Sequence, residues 1–178
     1  MFQDAYDKYD FVIQTRLDFD DFACRDAVAD TQSKVSECTD IVSYGYCKGY
    51  QYILGELFPF YSKYNGIGHH SAFPSLIVNS SFGKKIPSIF IYSFDHTKVK
   101  IKLKDFLEKN GIKFRENMFQ QNFSMKAFIY FRHEFSQELL VTNSILKLPN
   151  KEKLTTADIT KKTLEDDFGF HRELNSIE

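Results

Sequence analysis

The chain has 178 residues, and its 23 Lys+Arg against 24 Asp+Glu leave a formal net charge of −1. That length corresponds to roughly one domain with its own core, and 43% hydrophobic with 26% charged residues excludes disorder as the main state. Near-neutral charge argues against a dedicated nucleic-acid binder, and no apolar run approaches the ~18 residues that a membrane span needs.

The opening MFQDAYDKYD is acidic and lacks a basic-then-apolar leader, so a soluble, cytoplasmic protein is expected. The 19 Phe and 10 Tyr, without Trp, fit a Phe-rich core. A sugar-stacking surface is the alternative, although Trp stacks better. Cys24, Cys38 and Cys47 match no zinc spacing and read as free buried thiols in a reducing compartment.

In chain order, residues 9–17 carry Phe11, Val12 and Ile13 and predict a buried strand. Asp20 or Asp21 then caps a helix running to about Ser36. Residues 41–46 alternate as a strand, 47–49 make a turn and 50–54 return, giving a hairpin. Residues 57–64 predict a further strand, and 65–68 a glycine loop that delivers His69 and His70. A short helix follows over 73–79, a loop at Lys84 and Lys85, and a strand over 87–94. Residues 99–103 alternate Val, Lys, Ile, Lys, Leu and predict a strand with one basic face. Residues 104–110 predict a helix ended by Gly111, 127–132 an apolar strand, and 148–153 a polar loop. The last helix starts at a Thr155 or Thr156 cap, runs to about Asp167 and ends at Gly169. With no internal repeat or low-complexity linker, one α/β domain over 1–178 is the simplest organisation.

Asp18, Asp20 and Asp21 lie just past the first strand, where ligands bind in open α/β sheets. Carboxylates this close repel one another unless a cation sits between them. Mg²⁺ or Mn²⁺ suits their oxygens and can bridge the phosphates of a nucleotide. A solvated helix N-terminus explains the same residues without a ligand. A calcium hand would need a longer acidic loop with glycine and a closing Glu. An aspartate-nucleophile phosphatase would want Thr or Val where Phe22 stands. The lysines at 98, 100, 102 and 104 either steer an anionic ligand or guard an edge strand.

The string Thr15-Arg16-Leu17-Asp18-Phe19-Asp20-Asp21 resembles that of the bacterial rhamnosyltransferase family, a group of GT-A-type glycosyltransferases. The stretches Gly66-Ile67-Gly68-His69-His70-Ser71, Ser75-Leu76-Ile77-Val78 and Tyr92-Ser93-Phe94-Asp95-His96-Thr97-Lys98 are also similar to it, with the tyrosine-rich segment at 44–50 between the acidic string and the first of them. The likeness spans roughly residues 8–170.

The resemblance implies a GT-A-like mixed sheet flanked by helices, and an enzyme that moves a sugar from a nucleotide-sugar donor to a glycan acceptor. Asp18 and Asp20 then match the DxD that holds Mn²⁺ or Mg²⁺, Asp20 in direct contact, and Asp21 supports them or caps the helix. Arg16 pairs with phosphate or with Asp18. His96 is a candidate third metal ligand or phosphate contact, and His69 and His70 candidate donor or acceptor contacts, each against a plain structural role. Asp95 and Glu134 are candidates for the base that takes the acceptor proton, and Arg132-His133-Glu134 also reads as a surface charge cluster. Only 17 residues precede Asp18, too few for the βα units of a nucleotide-base pocket. The expectation is therefore a truncated product or a half completed by a partner chain. A non-catalytic remnant and a metal-dependent phosphohydrolase are the alternatives.

Overall fold

A computed structural model describes residues 2–17, 21–53, 56–61, 72–86, 88–89, 98–132 and 157–169. Within them the chain is mixed α/β, a curled mixed sheet flanked by helices. Helix α1 (Gln3–Lys8) leads into strand β1 (Phe11–Thr15). A short β2 (Asp21–Ala23) precedes α2 (Ala27–Ser33) and a 3-10 turn (Lys34–Glu37). Strands β3 (Ile41–Ile53), β4 (Glu56–Tyr61) and β5 (Ala72–Asn79) follow, then α3 (Ser80–Lys85) and α4 (Val99–Lys109). A 3-10 turn (Glu116–Met118), the long β6 (Phe119–Arg132) and α5 (Ala157–Phe168) complete the set.

The strand order is β1-β5-β3-β6-β2, with β4 pairing along the far half of β3. The β3–β6 pair is parallel and every other pair antiparallel. Strands β1, β3 and β6 therefore run one way, and β2, β4 and β5 the other. Chain reach explains the curl. Arg16 lies beside Pro74, one residue past the Ser75–Tyr44 pairing, and Asp21 pairs with Tyr130, itself beside Gln51. In a flat sheet those positions would be roughly 28 Å apart, at about 3.3 Å per residue and about 4.8 Å per strand. The chain from Arg16 to Asp21 spans at most about 18 Å. Register shifts in β3 between Tyr44 and Tyr50 mark where the sheet bends.

Two apolar layers cover the sheet. Tyr6, Ile41, Leu76, Val78, Phe82, Leu103 and Leu107 pack with α1, α3 and α4 on one face. Val42, Tyr44, Tyr46, Ile77, Ala27 and Phe128 pack with α2 on the other. Tyr50 and Ile129 meet Leu164 and Phe168 of α5 beyond the bend.

Several elements differ from the sequence expectation. The hairpin over 41–54 is one continuous strand. Gly49 makes no turn; a Cβ there would lie 2.5 Å from the Phe128 carbonyl oxygen, so glycine permits close approach of β3 and β6. Residues 73–79 form a strand rather than a helix, because both faces are buried and the apolar run carries no visible period. Lys84 and Lys85 close α3, whose Asn79 cap accepts from the Ser81 amide at 2.9 Å. The alternating run from Val99 is a helix. Val99, Leu103 and Leu107 share its buried face, so the lysines spread round the helix instead of lining one side. The helix expected from Asp20 or Asp21 starts at Ala27, because Phe22 and Ala23 pair with β6. The glycine stops hold, Gly111 and Gly169 lying at φ 74° and 72°. Most of the strand expected over 87–94, and the loop over 148–153, fall outside the described residues.

Candidate functional site

The β1–β5 ladder holds the chain up to the start of the acidic string. Thr15 pairs with Ser75, their hydroxyl oxygens 2.9 Å apart, and the Arg16 amide donates to the Pro74 carbonyl at 3.1 Å. Arg16 is half-buried and is the last residue fixed in this way. Even-numbered residues of β1 face α1 and α3. There the buried Gln14 donates to the Tyr6 hydroxyl at 3.1 Å and to the Ile89 carbonyl at 3.3 Å.

Strand directions decide which described flanks of the sequence-predicted residues lie near one another. The exit of β1, the entry of β5, the entry of β2 and the exit of β6 lie towards one end of the sheet. Arg16 and Asp21 flank Asp18 and Asp20. Ala72, which pairs with Tyr46, comes just after His69 and His70. Arg132 ends β6 just before Glu134. Ile89, tied to β1 through Gln14, is the last described residue before Asp95 and His96, and Lys98 is the first described residue after them. Asp18, Asp20, His69, His70, Asp95, His96 and Glu134 themselves lie outside the described residues, as do all five histidines. Among the described residues no three His, Cys, Asp or Glu side chains gather as a metal-binding group. No described helix is long and apolar enough to cross a membrane.

Sequence reading missed a polar lock near the entry of β6. The Tyr44 hydroxyl donates to Asp30 Oδ2 at 2.7 Å. Asn122 Nδ2 donates to the same carboxylate oxygen at 3.1 Å and to the Tyr44 oxygen at 3.0 Å. Asn122 Oδ1 accepts from the Ser124 and Met125 amides. Two residues along β3, the Tyr46 hydroxyl donates to the Ala27 carbonyl at 2.7 Å and lies 2.9 Å from Thr31 Oγ1. Burial first, and the Asp30 carboxylate second, push the Tyr44 phenol above its usual range. Burial does the same for Tyr46. The lock ties α2 to β3 and β6 and so anchors the chain after β2. Its signal in sequence is modest: two tyrosines spaced for one strand face, and Ala27, Asp30 and Thr31 spaced for one helix face. The three cysteines are buried and free.

No protein-family model, curated protein or solved structure matches this chain.

Proposed function

We propose that this chain is a glycosyltransferase of GT-A type, carrying the metal-binding and acceptor-side part of a site that transfers a sugar from a nucleotide-sugar donor to a glycan acceptor. The observation that supports this most is topological. The chain enters the acidic string from the end of β1, beside the entry of β5, and leaves it into β2, paired near the end of β6. Segments far apart in sequence thus converge on one end of the sheet.

Asp18 and Asp20, with His96, have the oxygen and imidazole donors that fit Mn²⁺ or Mg²⁺. Such an ion, when bound, neutralises charge on the leaving diphosphate. Arg16, half-buried at the strand exit, adds a fixed positive charge for phosphate. His69 and His70 contact the donor, and Asp95 or Glu134 accepts the proton of the attacking hydroxyl. Rhamnose is the sugar the family resemblance names; no described residue reads a deoxysugar.

Calorimetric titration with a nucleoside diphosphate, with Mn²⁺ and then with chelator, tests the reading. Binding is expected only with metal, and Asp20→Ala should abolish it. Equal binding with and without metal would sink the metal role of the acidic string. Binding in neither condition would favour a remnant, and phosphate release from a generic phosphoester without acceptor a phosphohydrolase.

A further inference from the structure

Among the described residues β1 lies at the edge of the sheet, and its ladder to β5 settles which backbone groups face outward. The Arg16 amide donates to Pro74, and the Asp10 carbonyl accepts from Ser80, so even-numbered residues point their amides and carbonyls at β5. Phe11, Ile13 and Thr15 therefore turn theirs away from the sheet. Among the described residues no strand pairs with that side. Its sequence, FVIQT, carries none of the usual edge guards: no lysine, no proline and no bulge.

We propose that two copies of the chain pair β1 against β1, antiparallel, about a two-fold axis beside Ile13, continuing the sheet through both molecules. The register is set by the outward groups. Centring on Ile13 sets Ile13 opposite itself and Phe11 opposite Thr15, and uses every outward amide and carbonyl of the strand. The same register meets two independent features. Asp10, which is exposed, falls opposite Arg16 of the other copy. Tyr9 and Leu17, 64% and 45% exposed at the two ends of the strand, fall opposite each other; Tyr9 is already extended, at φ −127° and ψ 149°. Charge, apolar surface and hydrogen bonding are thus self-complementary about one centre, as an isologous interface requires. The interface would border the exit of β1, so each copy brings Asp10 to the start of the other's acidic string. The inference rests on β1 and the two residues on either side of it, and does not depend on the proposed activity.

Sedimentation of the full chain over a concentration series is the first measurement, with a dimer expected. Ile13→Pro removes an outward amide and leaves the β5 ladder its partners, as edge strands allow. Losing the central pair of hydrogen bonds should weaken association about 30-fold. Ile13→Cys tests the register, because directly opposed hydrogen-bonded residues have Cα atoms about 5.5 Å apart, within disulfide reach. Mild oxidation should link it as a dimer faster than Val28→Cys, on exposed α2. The wild type, with its thiols buried, should stay unlinked. A monomer at every concentration, or Ile13→Cys linking no faster than Val28→Cys, would overturn the proposal. So would a folded Ile13→Pro that dimerises as the wild type does; if that variant does not fold, the cysteine arm decides.

Discussion

Replacing Gly49 by alanine separates a continuous β3 from a turn over 47–49. A Cβ at this position would lie 2.5 Å from the Phe128 carbonyl oxygen and from its ring carbon Cδ2, where ordinary contact begins at 3.4 Å. Carbonyl and ring must therefore yield by about 0.9 Å, and neither is free to do so. The carbonyl belongs to the backbone of β6, and the ring is fully buried among Tyr44, Tyr46 and Ala127. Overpacking of this kind costs about 1–3 kcal/mol. Alanine recovers up to about 1 kcal/mol by restricting the unfolded chain. The net expectation is about 1 kcal/mol, or a melting temperature lower by about 2–4 °C for a chain of this size. Thermal unfolding monitored by circular dichroism measures it. Gly111→Ala is the control, since nothing lies within 4 Å there and only its φ of 74° is strained. A Gly49→Ala protein melting within a degree of wild type would refute the close β3–β6 approach.

Two further outcomes are expected from the buried polar groups. Burial pushes the Cys38 and Cys47 thiols from 9.0 up to about 11. Because the folded values are raised, their contribution to stability is full below about pH 9 and lost as pH climbs towards 11. At pH 10 that loss is about 3 kcal/mol for the pair, measurable by urea unfolding at pH 7.5 and 10. Identical unfolding free energies at the two values would contradict it. In the Asp30 lock, Tyr44→Phe removes one hydroxyl and should cost about 1–2 kcal/mol, whereas Asn122→Ala also strips the Ser124 and Met125 amides of their acceptor and should cost about 3 kcal/mol. Chemical denaturation giving the reverse order would mean that Asp30 is held chiefly by Tyr44.

Sequence reading succeeded where a local cause decides the structure. Phe11, Val12 and Ile13 make a strand because the run is short and apolar. Gly111 and Gly169 stop helices because their positive φ suits glycine. It failed where a distant partner decides. Gly49 resembles a turn residue until Phe128, nearly eighty positions later, occupies the space of its side chain. The alternation after Val99 fits a strand, and only the joint burial of Val99, Leu103 and Leu107 against the sheet selects the helix. Residues 73–79 lie between two apolar layers, which erases the period that would have marked a strand. The candidate site divides in the same way. The carboxylates of the acidic string are visible as a cluster in sequence, but where its flanks lie depends on Arg16 meeting Pro74 and Asp21 meeting Tyr130.

These long-range pairings also explain why one stretch of chain bears on both the candidate site and the edge. The step from β1 to β2 joins the two outer strands of the path, so it can close only if the sheet curls. The curl draws the end of β6 towards the exit of β1 and brings the flanks of the acidic string together. It leaves the other side of β1 facing outward, because β5 is the only described strand pairing with it. Odd-numbered residues of β1 pack towards the layer under α2 while their amides look away from β5. The strand that delivers the acidic string thus also presents the open edge. A bend in β3 that displaced β5 would move both, whereas pairing along the outer edge of β1 would stiffen the ladder that positions Arg16.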